Sequence, residues 1–228
     1  IMTIQNHVKE NTFPINHIVA EYLNSSDKNK VEGKQWYFTA HKIASTLSES
    51  FSVSLPKTCG VIAALSPNNH WDKNIIDAES LIAAFNCDMP EDEIFDTVKV
   101  STFHPNKIKA LNVLFGDCRN DLLPKLPIVE IIKPKKDSGH KVKSFYSCII
   151  NPHDTNEICV DGHALSIYLG DRITVNDSKS NMTPKQYAHI QEAYRLATDK
   201  INEIEKRCYI PMEIQAITWL AYRERHGL

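Results

Sequence analysis

Asp161 stands in Cys-Val-Asp-Gly-His-Ala, residues 159 to 164, and residues 133 to 143 upstream carry five lysines against one aspartate. An aspartate opening a helix suits two tasks. Its oxygens can cap the helix, and a fixed carboxylate can stabilise positive charge developing on a sugar as a base departs and can activate water. Both tasks are compatible. The lysines suit phosphates: Lys135, Lys136, Lys141 and Lys143 supply charge, and small residues at Ser138 and Gly139, beside His140, allow backbone N–H groups to approach an anion. These residues suit binding of DNA and attack on a base–sugar bond.

A second group follows the apolar run from residue 57 to Leu65: Ser66, Pro67, Asn68, Asn69, His70 and Trp71. A nucleotide turned out of a duplex leaves a gap that a wedge must fill, and Asn68, Asn69, His70 or Trp71 offers one. Asn68 and Asn69 equally suit turn chemistry and an N-cap. His163 either contacts the sugar-phosphate or simply occupies the first turn of its helix. Gln215, Trp219 and Arg223 share one face of the last helix and offer a polar edge to a cleft.

The elements that must position these groups read as helices. Apolar residues at helical spacing predict helices over 14–24, 34–49, 57–65, 72–85, about 105–118 and from Asp161 to Leu169, where Gly170 is placed to stop the last. A short acidic helix begins near Pro90. Thr183, Pro184 and Gln186 form a capping-box start for a helix whose Tyr187, Ile190, Tyr194, Ala197, Ile201 and Ile204 step by three and four. A final helix starts near Pro211. Residues 1 to 12 read as frayed, 25 to 33 as a solvated linker and 121 to 136 as a connector. With no hairpin of strands and no internal repeat, the class is all-α.

At 228 residues, with 42% hydrophobic and 24% charged residues, the composition is that of a globular protein. Net charge is −2, so local basic patches rather than a global field must attract phosphates. No apolar run approaches the roughly 18 residues needed to span a bilayer, and the polar N-terminus is unlike a signal peptide. We expect no membrane association, and a cytoplasmic site in a bacterial or phage-infected cell or a nuclear one in a eukaryote. Six cysteines lack CxxC spacing, which predicts buried free thiols and neither a metal site nor any other cofactor.

The order of these pieces resembles the endonuclease III branch of the helix-hairpin-helix DNA glycosylase superfamily. The carrying residues are Val61 to Ser66 with Asn68 or Asn69, then Lys73-Asn74 to Phe85. Lys109-Ala110-Leu111-Asn112-Val113-Leu114, Gly139-His140-Lys141 and Val160-Asp161-Gly162-His163 follow. The hairpin reads Lys-Asp-Ser-Gly-His where the family has Leu-Pro-Gly-Val-Gly, and the family's cluster-binding cysteines are absent. The resemblance covers roughly residues 57 to 170. It implies two helical subdomains, 57–158 and 1–56 with 159–228, with a DNA-binding cleft between them and a helix-hairpin-helix element. It also implies a monomer that flips a damaged or modified base from double-stranded DNA and hydrolyses its N-glycosidic bond with Asp161. The family lysine, which would add strand-cutting lyase chemistry, falls on Lys141 or Lys143. Two alternatives stand beside it: a base-hypermodification enzyme of phage type on the same fold, and a non-catalytic DNA-binding module.

Overall fold

Long runs with apolar residues three and four apart, and few glycines to interrupt them, produce helices and nothing else. A computed structural model describes residues 2–116, 127–132, 139–174 and 182–228, with side chains from residue 13 onward. All regular structure among the described residues is helical: α1 (Met2–Leu23), α2 (Asp27–Ser50), α3 (Leu55–Leu65), α4 (Trp71–Asn86), α5 (Glu91–Thr97), α6 (His104–Phe115), α7 (Ile128–Ile131), α8 (His140–Ile150), α9 (Gly162–Leu169), α10 (Pro184–Glu205) and α11 (Pro211–His226). No described helix is long and apolar enough to cross a membrane. The all-α expectation holds.

Two compact units emerge, Ile1–Phe38 with His153–Leu228, and Thr39–Pro152. The division therefore falls inside α2, whereas the sequence reading put it near residue 56. In the first unit, α1 packs against α9, α10 and α11, and α11 packs on α9 and α10. Their shared core includes Ile18, Tyr22, Val160, Leu165, Tyr194 and Ile217. The capping box of α10 is present: Thr183 Oγ1 accepts from Gln186 N–H at 3.3 Å, and Gln186 Oε1 accepts from Thr183 N–H at 2.9 Å. Gly170 ends α9 at φ 67°, its N–H bonded to the carbonyls of Ile167 and Ser166, as a left-handed glycine stop requires.

In the second unit α3 is the central element. It is buried from Thr58 to Leu65 and packs against α4, α6, α7 and α8. A helix that is apolar on every side can exist only where neighbours surround it.

Several expectations need correction. The helix expected from residue 14 begins earlier: α1 starts at Met2 and carries Pro14 in its interior. Residues 27 to 33 are not linker. Ser26 Oγ accepts from Asn29 N–H at 3.2 Å, and Lys30 N–H donates to Ser26 O at 3.0 Å, so the helix starts there. Its polar run is a solvent face, which composition alone confuses with a loop. Ile204, in the apolar stripe expected of α10, is 50% exposed, and Ile76 on α4 is 61% exposed. Lys107, a lysine inside the periodic run over 105–118, is buried and donates to Phe95 O at 2.6 Å and also to Val98 O, closing the end of α5. Burial pulls its amine below the usual lysine range, with Asp96 working the other way. Lys109 is half-buried, and burial lowers its amine too. The connector over 121–136 falls mostly outside the described residues; within it, α7 is a short helix.

Glu213 is a buried acid whose Oε2 accepts from Ile210 N–H at 3.0 Å. Burial holds its carboxyl above the ordinary value of 4.5, opposed by the Ile210 N–H and Lys34. A carboxylate with a raised folded pKa contributes stability that is complete below its unfolded value and is lost as pH rises through the folded one. Glu213→Gln keeps the carbonyl acceptor and removes the charge. Its stability relative to wild type is expected to be more favourable at pH 7 than at pH 4 in urea unfolding; a difference independent of pH would contradict this.

Candidate functional site

Asp161 lies where an extended segment enters α9. That segment is fastened to α10: Tyr187 Oη accepts from Val160 N–H at 2.9 Å, and Gln191 Nε2 donates to Ile158 O at 2.8 Å. Arg195 Nη2 donates to Asn156 O at 2.9 Å. With buried Val160 fixed beneath it, half-buried Asp161 adopts φ −107° and ψ −173° and turns its side chain over the first turn of α9. Oδ1 accepts from His163 N–H at 3.0 Å and Ala164 N–H at 2.8 Å. Oδ2 accepts from the Trp219 indole N–H at 3.0 Å. Three N–H donors and the positive end of a helix thus hold one carboxylate. Trp219→Phe removes the third donor, and since bonds to charged groups contribute about 1.5–3 kcal/mol, a loss within that range is expected in denaturant unfolding. No measurable loss would mean that water replaces the indole.

Trp219 and His163 lead from this carboxylate to further aromatic and basic side chains. Arg223 lies 4.6 Å over the Trp219 ring, and Trp36 meets Trp219 edge-on at 5.9 Å. His163, Tyr222 and His226 form a tilted series, with ring centroids 5.4 and 4.3 Å apart. Arg225 lies 5.5 Å from the Tyr222 centroid and pairs with Glu21 at 2.7 Å. Desolvation, followed by the charges of Arg225, Arg172 and His163, holds His226 below the usual histidine range. Burial raises the Tyr194 hydroxyl above the tyrosine range, with the neighbouring Thr218 side chain opposing the rise and the charges of Asp161 and Glu21 adding to it. Gln215 is not a free polar edge: it is 5% exposed and accepts from Tyr37 Oη at 2.8 Å.

In the second unit the expected wedge residues separate into different roles. Asn68 is exposed at φ 54°, a left-handed position that asparagine tolerates. Asn69 Nδ2 donates to Asp77 Oδ2 at 3.0 Å, so this side chain fastens the turn. Ser101 N–H donates to the same Asp77 oxygen at 2.7 Å, and Thr102 Oγ1 donates to Pro67 O at 2.6 Å. His70 is exposed and precedes α4 without capping it. Trp71 begins α4 and packs edge-on against Phe145 at 6.2 Å.

Gly139 precedes α8 at φ 79°. His140, Lys141 and Lys143 occupy the first turn of α8, all half-buried. Lys135, Lys136 and Ser138 lie outside the described residues. Sequence reasoning missed the Trp219–Asp161 bond, Arg172 and Asp77. Of these only Asp77 left a signal, a charge inside the apolar stripe of α4. Among the described residues no group of three or more histidine, cysteine, aspartate or glutamate side chains is placed to hold a metal ion. The thiols of Cys59, Cys148 and Cys159 are buried, whereas those of Cys87 and Cys208 are exposed.

Among the described residues the regular structure is all helical, and the carboxylate that caps α9 is bonded across to α11. The chain belongs to a family of unknown function, DUF7178, whose model matches residues 2–226. No curated protein matches the chain, and no solved structure does.

Proposed function

We propose that the protein is a DNA glycosylase-like enzyme, with a helix-hairpin-helix element, that removes a damaged or modified base from double-stranded DNA. The observation that carries this reading is the fixation of Asp161 by the His163 and Ala164 N–H groups and the Trp219 indole. A carboxylate with no freedom to reorient is suited to a transition state in which positive charge appears on a sugar. The bond between the base nitrogen and the sugar carbon breaks, its electron pair leaving with the base. Water then adds to that carbon, and its proton neutralises the base. The resemblance in motif order supports the same assignment. In it, the turn of Asn68, Asn69, His70 and Trp71 fills the space left by the flipped nucleotide, with Asn69 holding the turn. The first turn of α8 meets the phosphates, and Lys141 or Lys143 supplies any lyase amine.

The test is incubation with duplexes carrying a panel of modified bases, followed by assay for free base and abasic sites. Base release supports the reading; an altered base on an intact strand selects a hypermodification enzyme instead. Borohydride trapping that is lost in Lys141→Ala or Lys143→Ala identifies a lyase amine. One observation favours a second reading, a DNA-binding module without chemistry: both backbone bonds to Asp161 Oδ1 are those that a purely structural N-cap makes. Salt-sensitive binding without base release selects that reading.

A further inference from the structure

We infer that the His163–Tyr222–His226 series, with Arg172 and Arg225, is a docking site for a backbone phosphate of the nucleic acid strand whose sugar faces Asp161. The inference rests on the glycosylase-like reading and adds the group that holds the strand in place.

The site is built from two helices and one anchored segment. His163 comes from the first turn of α9, and Tyr222, Arg225 and His226 come from the last turns of α11. Arg172 follows the end of α9, where Ser166 fixes the chain on both sides of it. Asp171 N–H donates to Ser166 O, and Ile173 N–H donates to Ser166 Oγ, each at 3.1 Å. Ile173 packs on the core, so exposed Arg172 projects from a fixed backbone. The rings of His163, Tyr222 and His226 follow one another at 5.4 and 4.3 Å.

Charge decides the ligand. Glu21 is committed to Arg225 at 2.7 Å. Asp171 precedes Arg172 in sequence, Glu224 on α11 accepts from Asn29 Nδ2, and the Asp161 carboxylate accepts from its three N–H donors. The groups whose charges act on His226 are Arg225 on its own helix, Arg172 on the segment after α9 and His163 on α9. Cations gathered around a histidine repel its proton, and an anion seated among them relieves that repulsion. A phosphate diester carries one negative charge and two unesterified oxygens, which suits an arginine with a histidine. The series begins two residues after Asp161: the backbone N–H of His163 donates to the carboxylate, and the His163 ring lies 6.5 Å from the ring of Trp219, whose indole N–H donates to it as well.

The test measures full-length protein binding to a fluorescein-labelled duplex carrying a tetrahydrofuran abasic analogue, across a salt series. Arg172→Ala and His226→Gln are compared with Lys200→Ala, an exposed control on α10 whose amine bonds Asn16. Each phosphate contact removed is expected to lower the slope of log affinity against log salt by about 1, and wild-type binding is expected to weaken from pH 5.5 to pH 7.5 more than His226→Gln binding. Wild-type slopes and wild-type pH dependence in both site variants overturn the inference; if the wild type still releases base, the glycosylase-like reading survives. Altered slopes in a protein that releases no base support the phosphate site and defeat the glycosylase reading. No duplex binding by the wild type defeats both. Because Arg172 is exposed, its variant reports even if His226→Gln perturbs α11.

Discussion

Asp161→Asn is expected to abolish base release while duplex binding stays within a few-fold of wild type. Asparagine is as good an N-cap as aspartate. Its carbonyl oxygen can accept from His163 and Ala164 N–H as Oδ1 does at 3.0 and 2.8 Å. Its amide NH₂ then faces the Trp219 indole N–H, which donates to Oδ2 in the native protein. Two donors face each other, and one bond is lost. The stability cost is therefore that of the third bond alone, about 1.5–3 kcal/mol for a charged acceptor. The chemical cost is larger. Removing one preorganised electrostatic group lowers turnover about 10²–10³-fold, and here the charge itself disappears. Trp219→Phe in the Asp161→Asn background relieves the donor–donor conflict and is expected to recover stability without recovering release. Free-base assays under single-turnover conditions, read beside urea unfolding, separate the two effects. Near-wild-type release from a folded Asp161→Asn protein would remove Asp161 from the chemistry.

The local half of this site was legible and the distant half was not. An aspartate before Gly-His-Ala at the start of an apolar helical run announces an N-cap, and the two backbone bonds to Oδ1 follow from that alone. The Trp219 bond crosses 58 residues of sequence. No periodicity encodes it, because it depends on how α9 and α11 meet within their unit. The turn at residues 66 to 71 shows the same contrast. That it would be polar and precede a helix was readable. That Asn69 turns inward to Asp77 while Asn68 stays exposed depends on residues 101 to 106 arriving beneath it.

Helix existence was read well because burial repeats every three to four residues. Helix starts were read poorly where polarity misled. Four of the six residues from Asp27 to Glu32 are charged, yet Ser26 caps them and Asn29 is buried against Glu224. Lys107 fails for the opposite reason. A lysine in a helix reads as surface until another helix ends above it and offers carbonyls.

Gly33→Ala is expected to be among the most destabilising single-methyl changes in the first unit. Propensity alone predicts the reverse, since alanine in a helix interior is favoured over glycine by about 1 kcal/mol. Packing decides the sign. A Cβ at Gly33 would stand 2.5 Å from Ile217 Cα and 2.6 Å from Ile217 N and Cγ1. Two of those atoms are backbone, so no rotamer change relieves the contact. Instead α2 and α11 must separate there. Overpacking in a close-packed interior costs about 1–3 kcal/mol, occasionally more, which exceeds the propensity gain. Ile217 lies one turn before Ala221 and two residues before Trp219 on α11, so the displacement also moves the indole that orders Asp161. Urea unfolding is expected to show a net loss of stability. Ile217→Ala in the same background removes the Cγ1 clash and leaves the backbone clash, so it should not restore stability. A Gly33→Ala protein as stable as wild type would show that the two helices do not meet as closely as their backbones here place them.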